Sequence, residues 1–216
     1  MNTVGFIGLG AMGSRMGGQL LSAGYELVVY DPIEQAREDL SRAGATTVDD
    51  ASAVANQVET VLLSLPGPAE VEAVVTEIAP ALAPGDVVVD LSTSTPGMTE
   101  ELAAGLAPDE VTLVGAPVSG GPSGAETGTL SVMVGGPSAT VARLNELFEI
   151  LGSDLVHIDS QPGSGHAMKL LNNYLSFVAM IATSEVVALG EQVGLETETM
   201  LEVFNTSSGR NTATSF

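Results

Sequence analysis

"TVGFIGLGAMG" spans Thr3 to Gly13 and joins an apolar run to a glycine-rich turn. An apolar run leads straight into Gly8-Leu9-Gly10-Ala11-Met12-Gly13, a G-x-G-x-x-G. Met12 to Ala23 then has helical spacing and stops at Gly24. Glycines alone would be ordinary turn chemistry. Glycines that end a strand and open a helix are the context of a dinucleotide-binding turn. Gly8 permits the tight turn, Gly10 lets a pyrophosphate approach the backbone, and Gly13 lets helix and strand pack closely. Leu9, Ala11 and Met12 complete a loop at a helix N-terminus, where unpaired N–H groups can meet phosphates.

The next strand supports this reading. "YELVVYD" (Tyr25–Asp31) ends in an acid 18 residues after Gly13. A carboxylate there can accept bonds from the ribose hydroxyls but repels a 2′-phosphate. Pro32, Ile33 and Glu34 follow, with no arginine to hold a phosphate. NAD is therefore expected over NADP.

Further out, short apolar runs alternate with helical patterns. Strands are expected at Glu59–Gly67, Gly85–Thr93, Val111–Gly121, Thr129–Gly136 and Asp154–Asp159. Helices are expected at Pro32–Ala43, Asp49–Asn56, Pro68–Leu82, after Pro96, and over Ser138–Leu151. That alternation predicts βαβ units and a parallel sheet covered on both faces. "SLPG" (Ser64–Gly67) and "DLSTSTP" (Asp90–Pro96) leave the carboxyl edge of that sheet, where ligands bind in open α/β folds. After Asp159 the pattern changes to one long apolar helix, expected to be buried, from Gly165 to about Val193. A shorter helix follows at about Glu196–Thr206. The boundary is expected near Gln161–Gly163, giving a dinucleotide-binding domain over 1–161 and a helical domain over 162–216.

Composition narrows the function. Twenty-seven acids stand against six lysines plus arginines, a formal net charge of −21. Such a surface repels nucleic acid and anionic membrane. Its even spread and scarce lysine suggest a host with high internal salt, where screening makes self-repulsion tolerable. No cysteine is present, so disulfide and thiol chemistry are excluded. No uninterrupted apolar run reaches a membrane span, and the start has no basic segment of a signal peptide. A soluble cytoplasmic protein is the expectation. His157 and His166 are too few for a metal site, so none is expected.

"GSGHAMKLLNN" (Gly163–Asn173) contains Lys169, the only lysine in the 216 residues. On a helix, Lys169 and Asn173 are i and i+4 and share a face, with Gly165 one turn earlier leaving space for a ligand. An arginine would serve for a salt bridge, but it cannot lose its proton near neutrality, whereas a desolvated lysine can. The single lysine therefore points to proton transfer.

Four motifs together resemble the β-hydroxyacid dehydrogenases: "GFIGLGAMG", "DLSTSTP", "APVSGGPSGAETGTLSVMVGG" (Ala116–Gly136) and "GSGHAMKLLNN". The resemblance implies a Rossmann-type, doubly wound parallel sheet followed by an all-helical C-terminal domain that begins with a long helix. It implies hydride transfer between NAD and a small 3-hydroxy acid, such as 3-hydroxyisobutyrate, or its semialdehyde. Lys169 would be the general acid/base and Asn173 would orient substrate. Ser119, Gly120 and Gly121 would hold the substrate carboxylate. Leu65, Pro66 and Thr93 would contact the cofactor. Gly115 and Gln19 depart from the family, which commonly has an acid and an asparagine there. Family members also run further and carry a second pocket lysine, so a C-terminally short chain and a homo-oligomer (dimer or tetramer) are expected. An imine reductase, which usually lacks the lysine, and a catalytically silent dinucleotide-binding scaffold are the alternatives.

Overall fold

β1 (Thr3–Ile7) forms because its residues can be buried on both faces, and its alternation sends Phe6 to one side and Ile7 to the other. The computed structural model describes residues 3–214. Around β1 the sheet order is β3-β2-β1-β4-β5-β6-β8-β7, with β9 on the far side of β8. The strands are β2 (Glu26–Tyr30), β3 (Thr46–Thr47), β4 (Thr60–Leu63), β5 (Val87–Asp90), β6 (Thr112–Gly115), β7 (Val118–Ser119), β8 (Ser131–Gly135) and β9 (Asp154–Asp159). Strands β1 to β6 pair in parallel, as the alternating pattern predicts. Two pairings differ: β8 runs antiparallel to β6 and β7. The expected strand at Val111–Gly121 breaks in two, and its end turns into a helix that the pattern did not suggest.

The helices of this unit are α1 (Gly13–Ser22), α2 (Glu34–Arg42), α3 (Ala51–Ala55), α4 (Pro68–Ile78), α5 (Pro96–Leu106), α6 (Gly121–Thr127), α7 (Ser138–Arg143) and α8 (Asn145–Leu151). The single helix expected over Ser138–Leu151 is therefore two. One apolar layer joins Phe6, Leu62 and Val89 to Met16 and Leu20 of α1 and Phe148 of α8. The other joins Ile7, Val61 and Val88 to Val54, Val75 and Leu106 of α3, α4 and α5. Both faces are covered at the centre of the sheet, so β1, β4 and β5 are largely apolar, whereas β3 and β9 are mostly exposed. Chain order reverses between β1 and β4, and the crevice at that switch point lies beyond their carboxyl ends.

The chain divides into two compact units, Met1–Lys169 and Leu170–Phe216, and the long helix α9 (Gly163–Gln192) passes through the division. In the second unit α9 is followed by α10 (Thr197–Thr206). Gly190 of α9 packs against Met200 of α10, where a Cβ would lie 2.1 Å from Met200 Sδ. The expectation of a buried long helix needs correction. Beyond Lys169 its apolar side chains are largely exposed: Tyr174 is 72% accessible and Leu175 70%. Apolar composition identified a helix, but among the described residues α10 and the segment after it cover only part of it. By length and composition alone α9 would be long and apolar enough to cross a membrane.

Candidate active site

Four loops meet the carboxyl edge of the sheet. The first is the glycine turn after β1. Gly8 adopts φ +92, and a Cβ there would sit 2.3 Å from the Ser64 carbonyl oxygen. A Cβ on Gly13 would lie 1.9 Å from the Gly8 oxygen, which fixes the close approach of α1 to β1. Gly10 differs from both: nothing lies within 4 Å of its missing Cβ. Open space over bare backbone, at the N-terminus of a helix, is what a pyrophosphate needs. The residues present therefore fit a dinucleotide. Asp31 braces this loop, accepting Leu9 N–H and Ile33 N–H, each at 2.8 Å. Its carboxylate is thereby fixed beside the turn and mostly buried.

The second and third loops follow β4 and β5 and are bonded to each other. Leu65 N–H donates to Ser92 Oγ at 2.9 Å, and Ser92 N–H donates to Asp90 Oδ1 at 2.9 Å. Pro66 and Thr93 stay exposed on this edge. The fourth loop carries Ser119, Gly120 and Gly121. Both glycines have positive φ, at +131 and +63, so a side chain at either would strain the turn. Successive N–H groups in such a turn make an anion-binding concavity. Gln19, one of the departures from the family, reaches from α1 to the Glu126 carbonyl at the end of α6. It ties the helix after the glycine turn to the helix after this fourth loop.

Lys169 is on the first part of α9, and only 8% of it is exposed. No ion pair among the described residues involves it. Burial favours the neutral amine and pushes its pKa below the ordinary lysine value. Asn173 follows one turn on along the same helix, half-buried. Gly165 has a different reason from the one expected. A Cβ there would lie 2.4 Å from both the Gly115 and the Met133 carbonyl oxygens, so its space admits sheet backbone instead of ligand.

One part of the site was missed from sequence. Asp90 and His166 are both fully buried, with Oδ2 and Nε2 3.4 Å apart. Burial raises the pKa of Asp90 and lowers that of His166, while their mutual attraction opposes both shifts. The signal was present: an apolar strand ending in an acid, and a histidine three residues before the only lysine. Gly115 belongs with them. A Cβ on it would meet the Pro162 oxygen at 2.2 Å and the His166 ring at 3.0 Å. Glycine at this position gives the imidazole its room.

Two family models together match nearly the whole chain. Residues 3–159 match the NAD binding domain of 6-phosphogluconate dehydrogenase. Residues 163–215 match the NAD-binding region of NADP-dependent 3-hydroxyisobutyrate dehydrogenase. The NAD-dependent L-serine dehydrogenase of Pseudomonas aeruginosa is 37% identical over 99% of this chain and 72% of its own. Human mitochondrial 3-hydroxyisobutyrate dehydrogenase is 35% identical over 96% of this chain and 62% of its own. Among solved structures, Mycobacterium tuberculosis 3-hydroxyisobutyrate dehydrogenase with L-serine superposes with a TM-score of 0.92 at 30% identity, covering 99% of this chain and 73% of that one. An imine reductase from Streptomyces aurantiacus gives 0.85 at 27% identity, covering 91% and 69%.

Proposed function

The chain belongs to the β-hydroxyacid dehydrogenase family, and from that premise we propose that it moves hydride between NAD and a small 3-hydroxy acid or its semialdehyde. The observation that carries the reading is Lys169: buried, outside every ion pair among the described residues, and held toward its neutral form. A bound nicotinamide supplies the hydride acceptor on oxidation and the hydride donor on reduction. As the carbinol C–H bond gives up its hydride, the neutral Lys169 amine takes the hydroxyl proton and becomes ammonium. On reduction the ammonium returns that proton to the forming alkoxide. A pKa brought down toward the working pH suits both directions.

The other roles follow the loops. Backbone N–H groups at Gly120 and Gly121, with the Ser119 hydroxyl, hold the substrate carboxylate. Asn173, one turn beyond Lys169, orients the substrate. Leu65, Pro66 and Thr93 contact the cofactor from the loops after β4 and β5. Gly8, Leu9, Gly10, Ala11, Met12 and Gly13 carry the pyrophosphate, and Asp31 accepts the adenosine ribose hydroxyls. An anionic group fixed there disfavours a 2′-phosphate, which supports NAD over NADP. Lys169 also supports a dehydrogenase over an imine reductase. The exposed apolar stretch of α9 supports self-association, because monomers rarely expose so much contiguous apolar surface.

The test follows NADH absorbance with a panel of 3-hydroxy acids in molar KCl. Turnover of at least one, with a lower KM for NAD than for NADP, is expected. Dinucleotide binding without turnover of any member would favour the silent scaffold. A lower KM for NADP would overturn the cofactor assignment.

A further inference from the structure

The buried face between β5 and α9 holds polar atoms that hydride transfer leaves unused. His166 Nε2 faces Asp90 Oδ2 at 3.4 Å, and neither atom has a hydrogen-bond partner of its own. The other ring nitrogen, Nδ1, lies 2.9 Å from Thr99 Oγ1. The Thr99 hydroxyl also bonds the Thr95 carbonyl at 3.0 Å, and it has one hydrogen to give. Its oxygen therefore accepts from Nδ1–H. That leaves Nε2 of a neutral ring as a bare lone pair facing a carboxylate oxygen. Two buried acceptors in that arrangement would be costly. One further proton between them removes the conflict.

We propose that Asp90 and His166 share a single proton between Oδ2 and Nε2, and that this buried pair positions the first turn of α9, and with it Lys169, against the loop after β5. Asp90 Oδ1 accepts Ser92 N–H, and Ser92 Oγ accepts Leu65 N–H. A continuous set of bonds thus runs from the loop after β4 through the loop after β5 to the helix turn bearing Lys169. Gly115 clears the space that the ring fills.

The pair also matters electrostatically. It has no net charge, whichever partner holds the proton. A lone Asp90 carboxylate would favour the Lys169 ammonium, and a lone imidazolium would oppose it. Burial drives both partners toward their neutral forms. The other titratable side chains nearby are Lys169 on the same helix and Glu100 of α5, an exposed residue beside Gly163.

Because the positioning role rests on Lys169 as the proton-transfer group, the test has readouts that need no turnover. The chain has two histidines, so nitrogen-15 labelling of histidine gives two rings, assigned with His157→Gln. Long-range proton–nitrogen spectra from pH 5 to 8 are expected to show His166 protonated at Nδ1 and unchanged in protonation. An unprotonated Nδ1, or a midpoint near the ordinary 6.5, overturns the shared proton. The second readout is the Cε resonance of the only lysine. His166→Gln can still donate to Asp90 and is expected to leave the Lys169 midpoint in place. His166→Ala frees the carboxylate and is expected to raise it by about one unit. Where turnover is measurable, kcat is expected to fall about 10-fold or more in His166→Ala and under about 3-fold in His166→Gln, with KM for NAD unchanged. Equal lysine midpoints in the two variants overturn the positioning role. If His166→Ala does not fold, Asp90→Ala against Asp90→Asn tests the pair from its other member: the asparagine amide can still donate to Nε2 and is expected to leave the lysine midpoint in place, whereas Asp90→Ala leaves a lone ring whose protonation is expected to lower it. An enzyme without turnover leaves both spectra readable, so failure of the dehydrogenase reading and failure of the pair are distinguished.

Discussion

Phe6 and Leu175 are both large apolar residues in regular elements, yet Phe6 is fully buried and Leu175 is 70% exposed. Phe6 alternates with Ile7 on a strand that has helices on each side. Leu175 lies on α9 in the second unit, where no described element covers it. The first unit completes its own core. The second presents exposed apolar side chains along α9. Apolar patterning announces an element, and only the neighbours decide whether its apolar face is interior.

The largest effect is expected in the covered core. Phe6→Ala is expected to cost about 3–5 kcal/mol in chemical denaturation, because a core aromatic is lost and a cavity remains. A loss below about 1 kcal/mol would mean that the sheet core is looser than its burial implies. The next effect separates chemistry from folding. Lys169→Ala is expected to lower kcat by about 10³-fold, within the span of general acid–base catalysis, with NAD affinity retained. Isothermal titration and steady-state rates check the two halves. Direction also matters: oxidation needs the neutral amine, so its rate should rise with pH through the Lys169 pKa. Reduction needs the ammonium and should fall over the same range.

Smaller effects sharpen the uncovered side. Leu175→Ala should change stability by no more than about 0.5 kcal/mol in a monomer, as for other exposed positions. A cost of several kcal/mol that depends on protein concentration would show α9 covered by a second copy. A strictly monomeric mass by light scattering would count against self-association. Molar KCl should raise Tm, since screening relieves repulsion within a chain of net charge −21. Lys169→Met is expected to act on stability as well. The folded pKa of Lys169 lies below its unfolded value, so the unfolded chain binds the proton better and wild-type stability climbs with pH toward 10.5. Removing the amine should therefore raise Tm at neutral pH. It should also remove that part of the pH slope.

Much of the fold was legible because parallel strands buried on both faces are apolar runs, and the helices between them are punctuated by Gly and Pro. The glycine turn was legible for a stricter reason: Gly8 and Gly13 have no room for a Cβ. The break between α7 and α8 left no such mark, and β7 and β8 gave no sign of their antiparallel direction. In the site, Lys169 stood out by its rarity. The Asp90–His166 pair did not, because 76 residues separate its members in sequence and only the packing of β5 against α9 brings them together. Gly165 was assigned to a ligand because sequence spacing cannot tell room for a ligand from room for the neighbouring backbone.

The central claim is that Lys169 is a buried amine tuned for proton transfer, and the chain makes the direct measurement simple. With one lysine among 216 residues, carbon-13 labelling of lysine yields a single Cε resonance. Followed against pH in the folded protein, it is expected to titrate with a midpoint clearly below the ordinary 10.5. A midpoint at or above 10.5 would contradict the account, because it would describe a solvated or ion-paired ammonium with no call to give up its proton.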